Sequence, residues 1–347
     1  MQKLYKEDIK KLLWGSLFYG CGGGLSYKES LKIAEEIFKF KKYIVLADIE
    51  EFKDTDYIIS IYAVGDPSKA KLDFKSLIFE AFKHYKKLTN IQKISGIIPG
   101  EIGAEILAFQ ASAYLNLPVV DTDLVGGRAA PEVQMDLFSV YKLKLTPFLG
   151  YIRNKILYLD EDFSAQEIES IVRNFFKDKG AGIVIGYPVK VNKIKNKCIK
   201  NTVTKALKVG EILIKKDWNE LKKLLGKFKV LEETFQKANL ESKGGFLEGF
   251  VIFKKHKIYV KNENIYLIDD KNRIKYKAPD LIIILDEKLK PVHNTEWAKR
   301  KINNVKILLI PSEGYWKTRE GKKLWNIPIY VKIINVRAGS SVGRASR

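Results

Sequence analysis

The chain has 347 residues, 46% of them hydrophobic, and its 62 Lys and Arg against 41 Asp and Glu give a formal net charge of +21. This composition excludes a disordered or fibrous chain and suits about two domains of roughly 150 residues, each able to bury its own core. No run reaches the roughly 18 consecutive apolar residues of a membrane-spanning helix, the longest, at 281–285 and 307–310, being strand-sized.

The first twenty residues mix charges through the apolar positions and lack the order of a secretory signal, so the expectation is a cytosolic enzyme or binding protein. With only Cys21 and Cys198, and with His84, His256 and His293 scattered, neither a disulfide framework nor a Cys- or His-based metal centre is expected. Many Lys with two Cys and two Met resembles thermophile composition. The charge is uneven: residues 1–150 hold 20 basic and 19 acidic side chains, residues 151–347 hold 42 and 22. Such a surplus fits either a solvated Lys surface or an anionic partner such as RNA, although the Arg-rich stripe and interleaved aromatics of a nucleic-acid reader are missing.

In chain order, Ile9, Leu12, Leu13, Leu17 and Phe18 give a helix over 5–19, stopped by the glycines that begin at Gly20. Ser26 and Glu29 form a capping box for a second helix with Leu31, Ile33, Ala34, Ile37 and Phe38 on its buried stripe. Strands at 43–47, 57–64, 94–98 and 118–120 alternate with helices at 72–88 and 102–114, the pattern of an α/β layer with a largely parallel sheet. A helix at 165–177, a strand at 183–187 and a long helix at 202–225 follow. Short strands between 244 and 285, separated by Gly, Asn and Asp turns, then predict a small antiparallel barrel or sandwich, completed by strands near 305–310 and 328–335. The expected division is an α/β domain at 1–170, a smaller β-rich domain with flanking helices at 171–337 and a disordered tail at 338–347.

Two segments carry candidate chemistry. Gly20-Cys21-Gly22-Gly23-Gly24, set between helices, exposes backbone N–H groups and a helix N-terminus that together suit an anion or oxyanion, with Cys21 as a candidate nucleophile; a tight packing turn is the alternative. The second runs from Asp121-Thr122-Asp123 through Gly126-Gly127-Arg128 to Glu132, at the end of a strand, where open α/β sheets bind ligands. Asp121 and Asp123 share a face if the strand persists, and Glu101, after the preceding strand, can reach the same crevice. These acids suit general acid–base work or a divalent metal, and Arg128 suits a carboxylate or amide carbonyl; the alternative is that they cap helices and pair with one another. Gly244-Gly245-Phe246 and Lys261-Asn262-Glu263-Asn264 read as turns, and Asp286 or Glu296 are candidates to face an interdomain cleft.

The segments GCGGG at 20–24, IPGEIGAE at 98–105, LPVVDTDLVGGRAAPEVQM at 117–135, KGGFLEGFV at 243–251, VKNENI at 260–265 and APDLIIILDEKLKPVHNTEW at 278–297 resemble, in this order, the S-methyl thiohydantoin desulfurase-like family. That group was long catalogued as a domain of unknown function and occurs beside hydantoinase/oxoprolinase genes. The resemblance implies an α/β domain followed by a β-rich one, and hydrolysis of an S-methylated thiohydantoin to hydantoin and methanethiol. The sequence departs from the family pattern at Cys21, at Ala104 and at Gly126-Gly127. The resulting expectation is a hydrolase acting on a small cyclic amide or thiohydantoin. In it Asp121 or Asp123 is the base, Glu101 and Cys21 are further catalytic candidates, and Gly22, Gly23, Gly24, Arg128 and Glu132 bind substrate. The rival is a non-catalytic subunit partnering a hydantoinase/oxoprolinase-like enzyme or binding RNA.

Overall fold

The computed structural model describes residues 1–64, 74–91, 93–177, 182–243 and 245–328. Gly244, the first residues of the helix expected at 72–88, all but the first of the strand expected at 328–335 and the tail at 338–347 lie outside the described residues. Among the described residues no helix is long and apolar enough to cross a membrane.

A short strand β1 (Gln2–Leu4) precedes helix α1 (Lys6–Tyr19), which buries the five predicted apolar side chains. Helix α2 (Tyr27–Ile37) starts on the predicted box, Ser26 Oγ accepting from Glu29 N and Glu29 accepting from Ser26 N at 3.0 Å. Strands β2 (Ile44–Ala47) and β3 (Tyr57–Val64), helix α3 (Phe74–Leu88), strand β4 (Ile94–Ile97), helix α4 (Ile106–Leu115) and strand β5 (Val119–Val120) follow. Then come a short helix α5 (Leu137–Tyr141), the hairpin β6 (Phe148–Ile152) and β7 (Lys155–Leu159), helix α6 (Ala165–Phe176), strand β8 (Gly182–Lys190) and a single turn α7 (Val191–Ile194).

These strands form one eight-stranded sheet in the order β1-β2-β5-β4-β3-β8-β6-β7. Only the central β2-β5-β4-β3 pairings are parallel, and β1 on one side and β8, β6 and β7 on the other are antiparallel. The sheet is therefore mixed rather than largely parallel. For β6 and β7 the reason is local: Arg153 and Asn154 both take positive φ, +46° and +62°, and close a two-residue hairpin where the sequence carries no Asn-Gly signal. Strand β8 joins this first sheet, which thus extends past the expected boundary at 170.

The long helix expected at 202–225 is two helices, α8 (Thr202–Lys215) and α9 (Trp218–Leu225). Lys216 turns left-handed at φ +57° and Asp217 starts the next helix by accepting from Glu220 N. The second sheet follows: β9 (Lys229–Lys243), β10 (Phe246–Phe253), β11 (His256–Lys261), β12 (Glu263–Asp269), β13 (Ile274–Lys277), β14 (Leu281–Asp286) and β15 (Asn304–Ile310), and then helix α10 (Arg319–Leu324). All seven strands pair antiparallel, in the order β13-β12-β11-β10-β9-β15-β14. The sheet curls into a half-barrel, and Asn264 Nδ2 on β12 donates to the Ile282 carbonyl on β14 at 2.9 Å.

The two halves share a core. Helices α1 and α8 meet where each has a glycine: a Cβ on Gly15 would lie 1.7 Å from the Ala206 carbonyl oxygen, and one on Gly210 1.8 Å from that of Lys11. Tyr315 and Trp316, after β15, donate to the carbonyls of Leu124 and Val125 in the first half, at 2.8 and 2.6 Å. The loop after β5 is thus clamped between the domains.

Candidate functional site

The glycine run is part of this clamp. Cys21 and Gly22 take φ of +49° and +88°, and their carbonyls accept from Asn264 N and Asn294 N of the second half, each at 2.8 Å. Gly20 N, Cys21 N and Gly23 N donate to carbonyls within α1 and the turn. Gly24 N faces the Glu263 carboxylate. A Cβ on Gly23 would sit 2.0 Å from Glu263 Oε1, and one on Gly24 2.5 Å from the Gly103 carbonyl. The run is therefore a packing turn whose amides are largely occupied, in place of the expected oxyanion cradle. Cys21 is fully buried, and burial pushes its thiol up, opposite to what an activated nucleophile needs.

Asp121 and Asp123 do not share a strand face, because β5 ends at Val120 and the chain turns. Asp121 accepts from Thr204 N at 3.0 Å and Thr204 Oγ1 at 2.5 Å, capping α8. Asp123, completely buried, accepts from Val125 N at 3.1 Å and Gly127 N at 2.7 Å and so shapes the glycine turn before Arg128. Both acids serve the backbone, and Glu101 is not held with them in a ligand set: among the described residues no group of three His, Cys, Asp or Glu side chains is placed to hold a metal ion.

Glu101 is differently placed. The C-terminal ends of β3 and β4, the start of α4, the 124–133 loop, α6 and β8 enclose a cavity of about 310 Å³. Glu101, Glu132 and Asp136 line it, together with Tyr62, Tyr187 and Asn262. Among the described residues Glu101 Oε2 accepts a single bond, from Ala130 N at 3.0 Å. Burial pushes its carboxyl up to about 7, a rise that the Ala130 N–H opposes and the nearby Asp123 carboxyl reinforces. Asp136 starts α5 by accepting from Ser139 N at 2.7 Å, and burial raises it too to about 7. Glu132 pairs with Lys261 at the end of β11 and Asn262 follows in the lining, so the second half closes one side of the cavity. Burial holds the phenols of Tyr62 and Tyr187 protonated.

Arg128 is 1% exposed. It donates through Nε to Ala129 O at 3.0 Å and through Nη1 to Pro279 O at 2.5 Å and Asp280 O at 3.2 Å, and it lies 4.1 Å from the centre of the Trp325 ring. It faces a different cavity from Glu101, on the other side of the 124–133 loop. Asp286 and Glu296 are bridged by Arg300, Asp286 also holding the turn to Lys290, and neither lines the Glu101 cavity. Three side chains near the site escape a reading of the sequence. Glu263 looked like a turn residue but is buried within a strand all of whose residues are buried, and its neighbours Asn262 and Asn264 give no signal of that. Asp136 and Lys261 carried no signal, since only tertiary folding brings them beside Glu101.

The chain was compared with known proteins. A crystal structure of a protein from Chromobacterium violaceum superimposes with a TM-score of 0.78 over 94% of this chain and 96% of that one, at 18% identity, which establishes a shared fold. No curated protein sequence is significantly similar to the chain. Residues 7–154 match the profile of the S-Me-THD-like, N-terminal domain and residues 164–330 that of the S-Me-THD-like, C-terminal domain. The chain therefore belongs to the S-Me-THD-like family, the S-methyl thiohydantoin desulfurase-like proteins.

Proposed function

We propose that the Glu101 cavity is the reaction site of a cytosolic hydrolase acting on a small cyclic amide or S-methyl thiohydantoin, with Glu101 as general base. The observation that carries this reading is a carboxyl tuned to about 7 and bound by one N–H, opening onto a cavity of about 310 Å³ at the C-terminal ends of parallel strands. A base with this pKa is about half ionised at neutral pH and can both take and return a proton.

The cavity suits a cyclic ureide. Its walls, among them Ile61, Leu107, Leu124 and Val125, take the ring faces, and its acids accept from ring N–H groups. In the hydrolysis, the water oxygen bonds to the ring carbon that bears the methylthio group. One water proton passes to Glu101 and on to the departing sulfur as the C–S bond breaks, giving methanethiol. The other ends on the ring nitrogen as the C=N bond becomes part of the hydantoin. The protonated phenols of Tyr62 and Tyr187, which hydrogen-bond each other and through Tyr187 reach Asp136, line the cavity with Asn262 and Arg173 as donors toward charge developing on the ring. This reading moves the base from Asp121 or Asp123 to Glu101, because the first two are already occupied by backbone donors.

The test is release of methanethiol from S-methyl thiohydantoin by the purified protein, followed with a thiol reagent, in wild type and Glu101→Gln. The reading requires turnover in the wild type and a fall of at least about 100-fold in the variant; equal rates in the two proteins would remove Glu101 from the reaction.

A further inference from the structure

The second cavity, about 150 Å³, lies between the domains, bounded by the 126–128 turn, α8, α9, β14, β15 and Trp316. The 124–133 loop separates it from the Glu101 cavity, to which it contributes none of its lining residues. Its walls are mostly apolar, with Leu225, Leu281, Ile310 and Trp316 prominent. The charged side chains lining it are Arg128, Lys205 and Glu313. Lys205 and Glu313 pair at 2.7 Å, which leaves Arg128 as the charged group of the lining not engaged in that pair.

Arg128 is incompletely bonded. Its other nitrogens donate to main-chain carbonyls, and Nη2 is buried without a hydrogen-bond partner among the described residues. A buried guanidinium in this state is unfavourable unless an anion or acceptor joins it. Of the carboxyls that act on it, Glu263 and Glu101 are themselves held by burial above the usual range, and Asp280 offers Arg128 its main-chain oxygen while its Oδ1 accepts from Ser312 N, so that none of the three is hydrogen-bonded to Nη2. A cavity of this volume has room for about six non-hydrogen atoms, the size of benzene.

We propose that this interdomain cavity is a binding site for a small monocarboxylate with a short apolar tail, its carboxylate accepting from Arg128 Nη2 and its tail lying against Leu225, Leu281 and Ile310. A planar carboxylate supplies the acceptor that Nη2 lacks and suits the fork of the guanidinium. The site joins residues of both domains, so its occupation ties α8 and α9 to the second sheet. The inference does not rest on the Glu101 reaction and is read by binding alone.

The experiment is calorimetric titration of the full chain with butanoate and with butanamide, which has the same shape without the charge. Butanoate is expected to bind at least tenfold more tightly than the amide, and Leu225→Trp, which fills the cavity, is expected to abolish its binding. If Leu225→Trp does not fold, Leu224→Trp, at a position 44% exposed on the cavity rim, carries the same expectation. Equal affinity for acid and amide, no butanoate binding to the wild type, or unchanged binding in the cavity-filling variant would each overturn the proposal.

Discussion

Two neighbouring parallel strands end in acid-bearing loops, and the loops use their acids differently. After β5, Asp123 is completely buried, is pushed up to about 7 by burial and receives N–H groups from the turn that it shapes. After β4, Glu101 is pushed up to the same value by the same cause, yet it receives one N–H and opens onto a cavity. A raised pKa therefore does not distinguish a structural acid from a reactive one. Free acceptor capacity facing open space does, because a carboxylate saturated by backbone donors has no lone pair in position to take a proton from water.

The contrast breaks most sharply on Glu101→Gln, which should lower turnover of S-methyl thiohydantoin at least about 100-fold while changing unfolding free energy in urea by less than about 1 kcal/mol. Asp123→Ala should do the reverse. It strands the N–H groups of Val125 and Gly127 in the interior and should destabilise the protein by about 3 kcal/mol in the same urea titration. Asp121→Ala, which removes the cap of α8, should lose about 1–2 kcal/mol.

The pH dependence sharpens the comparison further. If Glu101 acts as carboxylate, kcat/KM rises with pH and levels off above about 7, and Glu101→Asp, with its shorter reach, should lower the plateau. Stability should move the other way. Glu105, fully enclosed between Ser16 and Gly103 N, is pushed up to about 8 by burial, above the ordinary value of an unfolded glutamate. Between those two values the folded state binds more protons than the unfolded one, so stability is greatest at acidic pH and falls as pH rises toward 8. Melting curves from pH 5 to pH 8 should show the decline, and Glu105→Gln, which does not titrate, should lessen it, the raised carboxyls of Glu101, Asp123 and Asp136 keeping the remainder.

Where local rules governed, the sequence was a sufficient guide. The box at Ser26 and Glu29, the buried stripe of α1 and the strands at 57–64 and 281–286 follow from short-range periodicity and capping. Strand β9 was not legible: 15 residues long and largely exposed, it carries Lys and Glu through most of its length and hides its alternation. The break at Lys216 was equally hidden, since both flanking segments are helical and only Asp217 marks the restart.

Ordered motifs such as DTDLVGGRAAPE need no folding to be read, and the family, the two-part construction and the segments that carry the candidate site follow from them directly. The surroundings of each acid are set by long-range packing that no short motif records. Asp121, Asp123 and Glu101 are the same functional group in similar loops. Their roles separate according to how many backbone N–H groups reach each and whether a cavity lies in front, and both depend on chain brought in from α5, α6, α8 and the β11–β12 turn.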